Sequence, residues 1–274
     1  MKKIIVPVDF SEQSKFAIRA ASALAKKHDA EIIALHMLEL NQAMLTSSEG
    51  FHPEQTVFLI KLAEKRFREF LDRPCLEGLK VTPIIKHYKV FSEVNEVAQE
   101  NGADLIVMGS HGSDGLKEIF VGSNAERVVR NADIPVIVVK EDLKDFKVER
   151  FAFACDFKDD SLPAFEKAKS FAEMMSAELE LVYINTPGDD FLSNKDAYER
   201  INQFLTKANA GQQVEIYNDY SVEKGILNYS ESILADMIGI PTHGRKGLSH
   251  FFMGSIGEDI ANHSKIPVVT FKIN

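Results

Sequence analysis

The chain alternates short, predominantly apolar runs with longer stretches in which apolar residues recur every three or four positions. Residues 3–8 (Lys-Ile-Ile-Val-Pro-Val) are such a run and suit a strand buried on both faces. Ser11 then offers a helix N-cap, and Phe16, Ala17, Ala20 and Leu24 carry the buried stripe of a helix over 12–27. The same reading predicts strands over Glu31–Met37, 80–87, Asp104–Met108 and 135–140. Helices are predicted near 55–71, 91–100 and Ser123–Asn131. Asn41–Gln55 is polar, contains Ser47, Ser48, Gly50 and Pro53, and reads as a loop.

The pattern occurs twice. Ile4–Phe10 aligns with Phe151–Phe157 at an offset of 147 residues (Asp9 to Asp156). Further on, His111-Gly112, Gly122-Ser123 and Ile134-Pro135-Val136 recur as His243-Gly244, Gly254-Ser255 and Ile266-Pro267-Val268 at an offset of 132 (His111 to His243). The second copy is therefore shorter in its middle. The copies are assigned to 1–142 and 147–274, joined by the charged, aperiodic segment Glu141–Glu149. Strands alternating with helices predict an α/β fold with right-handed crossovers. The expected architecture is two tandem five-stranded parallel sheets, Rossmann-like and doubly wound, with helices on both faces. In such sheets ligands sit beyond the strands' C-terminal ends, where the strand order reverses. The apolar last strands, Val136–Val139 and Val268–Phe271, suit pairing within or between chains, which leaves a homodimer and a self-paired monomer both open.

Composition narrows the function. The 274 residues suit two domains, and 45% hydrophobic with 27% charged residues is ordinary globular usage. A net charge of −9 argues against a nucleic-acid partner, although backbone N–H groups can still hold a small anion. Cys75 and Cys155 form no CxxC and no metal-ligand pattern, so no metal is expected on protein side chains. No apolar run approaches the ~20 residues of a membrane span, and the first residues lack a signal-peptide core. The expectation is a cytoplasmic protein with reduced thiols and no membrane partner.

The segment Met108-Gly109-Ser110-His111-Gly112, nine further residues, then Gly122-Ser123-Asn124 lies between a buried strand and a helix. Glycines there let the backbone approach a ligand without a Cβ. Successive N–H groups can form an anion nest, and the free N–H groups and positive dipole end of the following helix face the same space. Such a segment suits a polyphosphate cradle, and it equally suits ordinary turn and cap glycines. It is neither a Walker loop nor a G-x-G-x-x-G fingerprint.

Val6–Ser11, Ile106–Gly112, Val121–Asn124 and Ile134–Val139 resemble the universal stress protein family, and the resemblance spans both copies. Copy 1 matches the G-x2-G-x9-G-[S/T] pattern of the family's ATP-binding, UspA-like branch without a gap. The resemblance implies five-stranded parallel sheets, pairing of the two domains, and an adenine nucleotide (ATP, AMP or ADP) as ligand in copy 1. It places Pro7, Val8 and Asp9 beside the adenosine, the Met37 backbone in the adenine slot, and Met108 and Gly109 beside the ribose. His111, Gly112, Gly122, Ser123 and Asn124 would hold the phosphates, with Mg²⁺ riding on phosphate oxygens.

Copy 2 keeps Asp156, His243, Gly244, Gly254 and Ser255 but has Pro241 for the first glycine, which fixes φ and removes an N–H. A weaker second site, or none, is expected there. Asp9 and Asp156 also suit helix-capping roles, and His111 and His243 suit loop-stabilising hydrogen bonds. Cys155 reads as core rather than pocket. Glu141-Asp142 and Asp159-Asp160 read as solvated surface.

No catalytic set accompanies the cradle. No base is evident to orient an attacking water, so a regulatory, stress-response module with at most slow ATP hydrolysis is expected. An ATP pyrophosphatase or adenylyltransferase would usually carry a Ser-Gly-Gly loop or a His-x-Gly-His signature, and neither occurs. A protein-interaction scaffold that binds no nucleotide is the remaining alternative.

Overall fold

The computed structural model describes residues 1–38, 53–87, 94–110, 123–243, 260 and 264–273. The first copy comprises β1 (Lys3–Pro7), α1 (Glu12–His28), β2 (Glu31–Leu38), α2 (Pro53–Leu71), β3 (Val81–His87), α3 (Val94–Asn101), β4 (Leu105–Gly109), α4 (Ser123–Asn131) and β5 (Val136–Val139). The second comprises β6 (Arg150–Ala154), α5 (Leu162–Met175), β7 (Glu178–Asn185), α6 (Asn194–Lys207), β8 (Val214–Asn218), α7 (Val222–Ser232), β9 (Met237–His243) and β10 (Val268–Ile273).

Local chemistry sets these boundaries. Ser11 caps α1, its hydroxyl oxygen accepting from the Ser14 N–H at 3.2 Å, and Lys26, Lys27 and His28 oppose the dipole in the last turn. The helix stops at Asp29, whose φ of 52° is left-handed; α5 stops the same way at Ser176, φ 55°. Pro53 opens α2, where its missing N–H is no loss, so the helix begins slightly earlier than its apolar stripe predicts. Residues 39–52 of the predicted loop lie outside the described residues.

The described strands form one ten-stranded sheet in the order β3-β2-β1-β4-β5-β10-β9-β6-β7-β8. Each half is parallel, in the predicted doubly wound order, and the halves meet where β10 runs antiparallel to β5. Ile137 lies opposite Val269, and Val138 opposite Val268. The last strands thus pair within the chain.

Apolar burial crosses that seam. On one face a single core joins Ile4, Val6, Leu24 and Phe67 of the first half to Phe151, Phe165, Phe171 and Phe204 of the second through Ile137, Val139, Val269 and Phe271. On the other face each half keeps its own core, under α3 and α4 in one and under α7 and Ile260 in the other. Each such side chain contributes about 1.5–3 kcal/mol on burial. Polar bonds add to the seam: Lys272 Nζ meets Asp133 Oδ1 at 2.7 Å, and Lys27 Nζ donates to the Met175 carbonyl at 2.5 Å. One helix face, one seam and one register therefore make the two copies a single body.

Candidate functional site

Strand order reverses between β1 and β4 in the first half and between β6 and β9 in the second. With Ile5 opposite Ile106 in a parallel pair, Val8, just past the end of β1, and Gly109, the last residue of β4, lie at one level, three residues further on each strand. α4 begins at Ser123, the first residue after the last glycine of the predicted loop. The crevice is thus bordered by Val8 and Asp9 on one side and by Met108 and Gly109 on the other.

The turn after β1 is built with unusual care. The Val8 N–H donates to the Leu35 carbonyl at 2.8 Å, and the His36 Nδ1–H donates to the Val8 carbonyl at 2.7 Å. A carbonyl can only accept, so Nδ1 carries the proton. Asp9 Oδ1 accepts from the Ser11 N–H (3.0 Å) and from the Ser11 and Ser14 hydroxyls (each 2.5 Å). Ser11 is the helix cap, and Asp9 braces it. Phe10 adopts a left-handed φ of 67°, uncommon for an aromatic residue. Its ring lies 4.4 Å from His36 and edge-on to Phe67 and Phe70, at 5.8 and 5.9 Å. Burial pulls the His36 pKa below its ordinary value, opposed by the Val8 carbonyl and the Asp9 carboxylate.

Gly109 has a packing role as well. A Cβ there would fall 2.3 Å from the Gln13 carbonyl oxygen, so the first turn of α1 reaches the end of β4 only because that residue is glycine.

The second half repeats the scaffold and alters the mouth. Phe157 takes the same left-handed turn (φ 53°), and Ser161 donates to Asp156 Oδ1 at 2.7 Å as Ser14 does to Asp9. Asp9 is exposed, however, and Asp156 is fully buried. Lys158, at the place of Ser11, sets its Nζ 3.8 Å from Asp156 Oδ2, and its N–H donates to Oδ1 at 3.2 Å. β9 also runs through Pro241 to His243, paired with Phe271 to Ile273 of β10, whereas β4 ends at Gly109. Cys155 is buried in the shared core, where burial pushes its thiol pKa up; it does not line the crevice.

Of the residues singled out in the sequence, Pro7, Val8, Asp9, Met108 and Gly109 converge at this crevice. Met37 lies on β2, buried and paired with Lys86 of β3. Ser123 and Asn124 open α4, and His243 ends β9. His111, Gly112, Gly122, Gly244, Gly254 and Ser255 lie outside the described residues. The sequence reading missed Ser14, Phe10 and His36. The repeat carried a signal for the first two, since its offset aligns Ser14 with Ser161 and Phe10 with Phe157, whereas His36 aligns with Tyr183, a different residue. Among the described residues no His, Cys, Asp and Glu cluster has metal-binding geometry, and no helix is long and apolar enough to cross a membrane.

Fold and crevice define a tandem pair of doubly wound α/β domains, each with a switch point at the strands' C-terminal ends. The chain belongs to the universal stress protein family, which it matches over residues 1–140 and again over 147–272. Universal stress protein MJ0531 of Methanocaldococcus jannaschii is 33% identical over 144 residues, covering 53% of this chain and 85% of that protein. A universal stress protein of Mycolicibacterium smegmatis is 25% identical across 98% of this chain and 96% of its own length. The crystal structure of a universal stress protein from Archaeoglobus fulgidus superposes with a TM-score of 0.73 at 24% identity, over 99% of this chain and 96% of that one, and shares the fold.

Proposed function

We propose that the first domain binds an adenine nucleotide, ATP or its di- or monophosphate, and that the protein acts as a regulatory stress-response module. The observation that carries this reading is the asymmetry of the two mouths. Asp9 stands exposed beside a β4 that ends at a glycine, whereas Asp156 is buried against Lys158 beside a β9 prolonged through Pro241.

The residues fit such a ligand. An exposed carboxylate at the end of β1 can accept from a base amino group or a ribose hydroxyl. The N–H groups at the start of α4, with those of the glycine loop, suit phosphates through their donors and the helix dipole. Mg²⁺ would be held by phosphate oxygens rather than by protein side chains. Among the described residues at the crevice none is a base aimed at an attacking water, and slow hydrolysis at most is the reading that goes with this. The second domain would bind weakly or not at all and serve as the first one's permanent partner.

The test is Gly112→Val and Gly122→Val in the full chain. Each is expected to lower ATP affinity more than about tenfold, because a branched side chain fills the space the phosphates need. Circular dichroism and melting temperature should stay near wild type. Wild-type affinity in both variants would remove the assigned phosphate site.

A further inference from the structure

His36 is the one imidazole among the described residues that touches the wall of the crevice. Its Nδ1–H holds the Val8 carbonyl at 2.7 Å, and its ring lies against Phe10, the left-handed residue of the β1–α1 turn. Asp9, the exposed carboxylate of the proposed site, lies between those two contacts in sequence. In the second domain the same position holds Tyr183, which packs edge-on against Phe157 at 6.5 Å and whose pKa is pushed up by burial. The turn of the first domain is held by an imidazole, and the corresponding turn of the second packs against a phenol ring.

We propose that His36 is a positioning residue for the first domain's nucleotide site, fixing the Val8–Phe10 turn in its neutral form and weakening nucleotide binding when it takes up a proton. This rests on the nucleotide reading above. The surroundings give the sign. The described charged groups acting on the ring are Asp9 from the turn, which favours the proton, and Arg66 from α2, which opposes it. β3 presents apolar Ile85 opposite. Burial already disfavours the imidazolium, and a ligand seated over the ends of β1 and β2 would withdraw the ring further from water. A charged ring would also draw the Asp9 carboxylate away from the ligand. The proposed phosphate region, at β4 and α4, lies on the far side of β1 from β2, so phosphate charge compensates the ring poorly. Nucleotide binding therefore expels the His36 proton, and lower pH opposes binding.

The experiment is calorimetric titration of the full chain with ATP and Mg²⁺ at pH values from about 8 to about 5.5, spanning the imidazole range, for wild type, His36→Gln and His36→Phe. Gln keeps an N–H donor and cannot titrate; Phe keeps the ring packing and loses the donor. Wild-type affinity should fall roughly three- to tenfold more across this range than that of His36→Gln, which cancels the nucleotide's own titration. At the upper pH His36→Gln should bind within about threefold of wild type, and His36→Phe about five- to tenfold more weakly, as loss of one hydrogen bond implies. Hydrogen exchange at the amides of residues 8–11 should quicken in His36→Phe without nucleotide. If His36→Phe does not fold, the comparison of wild type with His36→Gln decides. Identical pH profiles in wild type and His36→Gln would overturn the proposal and leave the nucleotide site standing. Absence of ATP binding by wild type at every pH would overturn both.

Discussion

Gly109 and Gln13 approach so closely that a Cβ on the glycine would lie 2.3 Å from the Gln13 carbonyl oxygen and 2.4 Å from its carbon. Both atoms belong to the backbone of α1, so the clash cannot be relieved by rotating a side chain. Gly109→Ala should therefore cost about 2–3 kcal/mol of stability, the range of overpacking in a tight site. Urea denaturation of the full chain measures this, and a loss below about 0.5 kcal/mol would mean that α1 yields freely.

The paired serines offer a second comparison. Ser161 donates to a fully buried carboxylate, and Ser14 donates to one that reaches water. Removing the partner of a buried acceptor leaves its desolvation uncompensated. Ser161→Ala should cost about 1–3 kcal/mol, and Ser14→Ala less than about 1 kcal/mol, in the same denaturation assay. The reverse order would mean that Asp156 finds other donors as readily as Asp9 finds water.

Asp133 accepts from Lys272 across the seam at 2.7 Å, and within its own half from Asn95 at 2.8 Å and Gln99 at 2.7 Å. The Lys272 hydrogen bond, then that of Asn95, holds its pKa below the usual carboxylate value. A carboxylate depressed in the folded state adds stability above its unfolded pKa and loses it as pH falls through the lower folded value. Wild type should thus be more acid-sensitive than Asp133→Asn below about pH 4. Because the aspartate is partly exposed, the difference near neutrality should stay under about 1 kcal/mol. Parallel acid melts of the two proteins would show it.

Much of the fold was legible because its signals are local. Apolar runs bounded by polar residues located β1, β2 and β4, and Ser11 marked the start of α1. The 147 and 132 offsets disclosed the tandem copies before any contact was known. Long-range geometry was not legible. Val136–Val139 and Val268–Phe271 are equally apolar whether they pair within a chain or between chains, and only the shared core beneath Ile137 and Phe271 selects the first. Gly109 reads as a ligand-facing glycine in the sequence, yet its contact with Gln13 depends on where α1 lands. His36 sits in a strand where alternation says only that a residue faces one side. Its hydrogen bond to Val8 arises because β1 and β2 pair in a register that sets Pro7 against Leu35. Lys158 looks like surface charge until Asp156 is seen to be buried beside it.

In the proposed function the first half of the tandem binds nucleotide and the second binds it weakly or not at all. Isothermal titration of nucleotide-stripped full-length protein with ATP and Mg²⁺ tests it most directly. The predicted result is one site per chain, lost in Gly122→Val and kept in Gly254→Val. Two equivalent sites, or none at millimolar ATP, would contradict it.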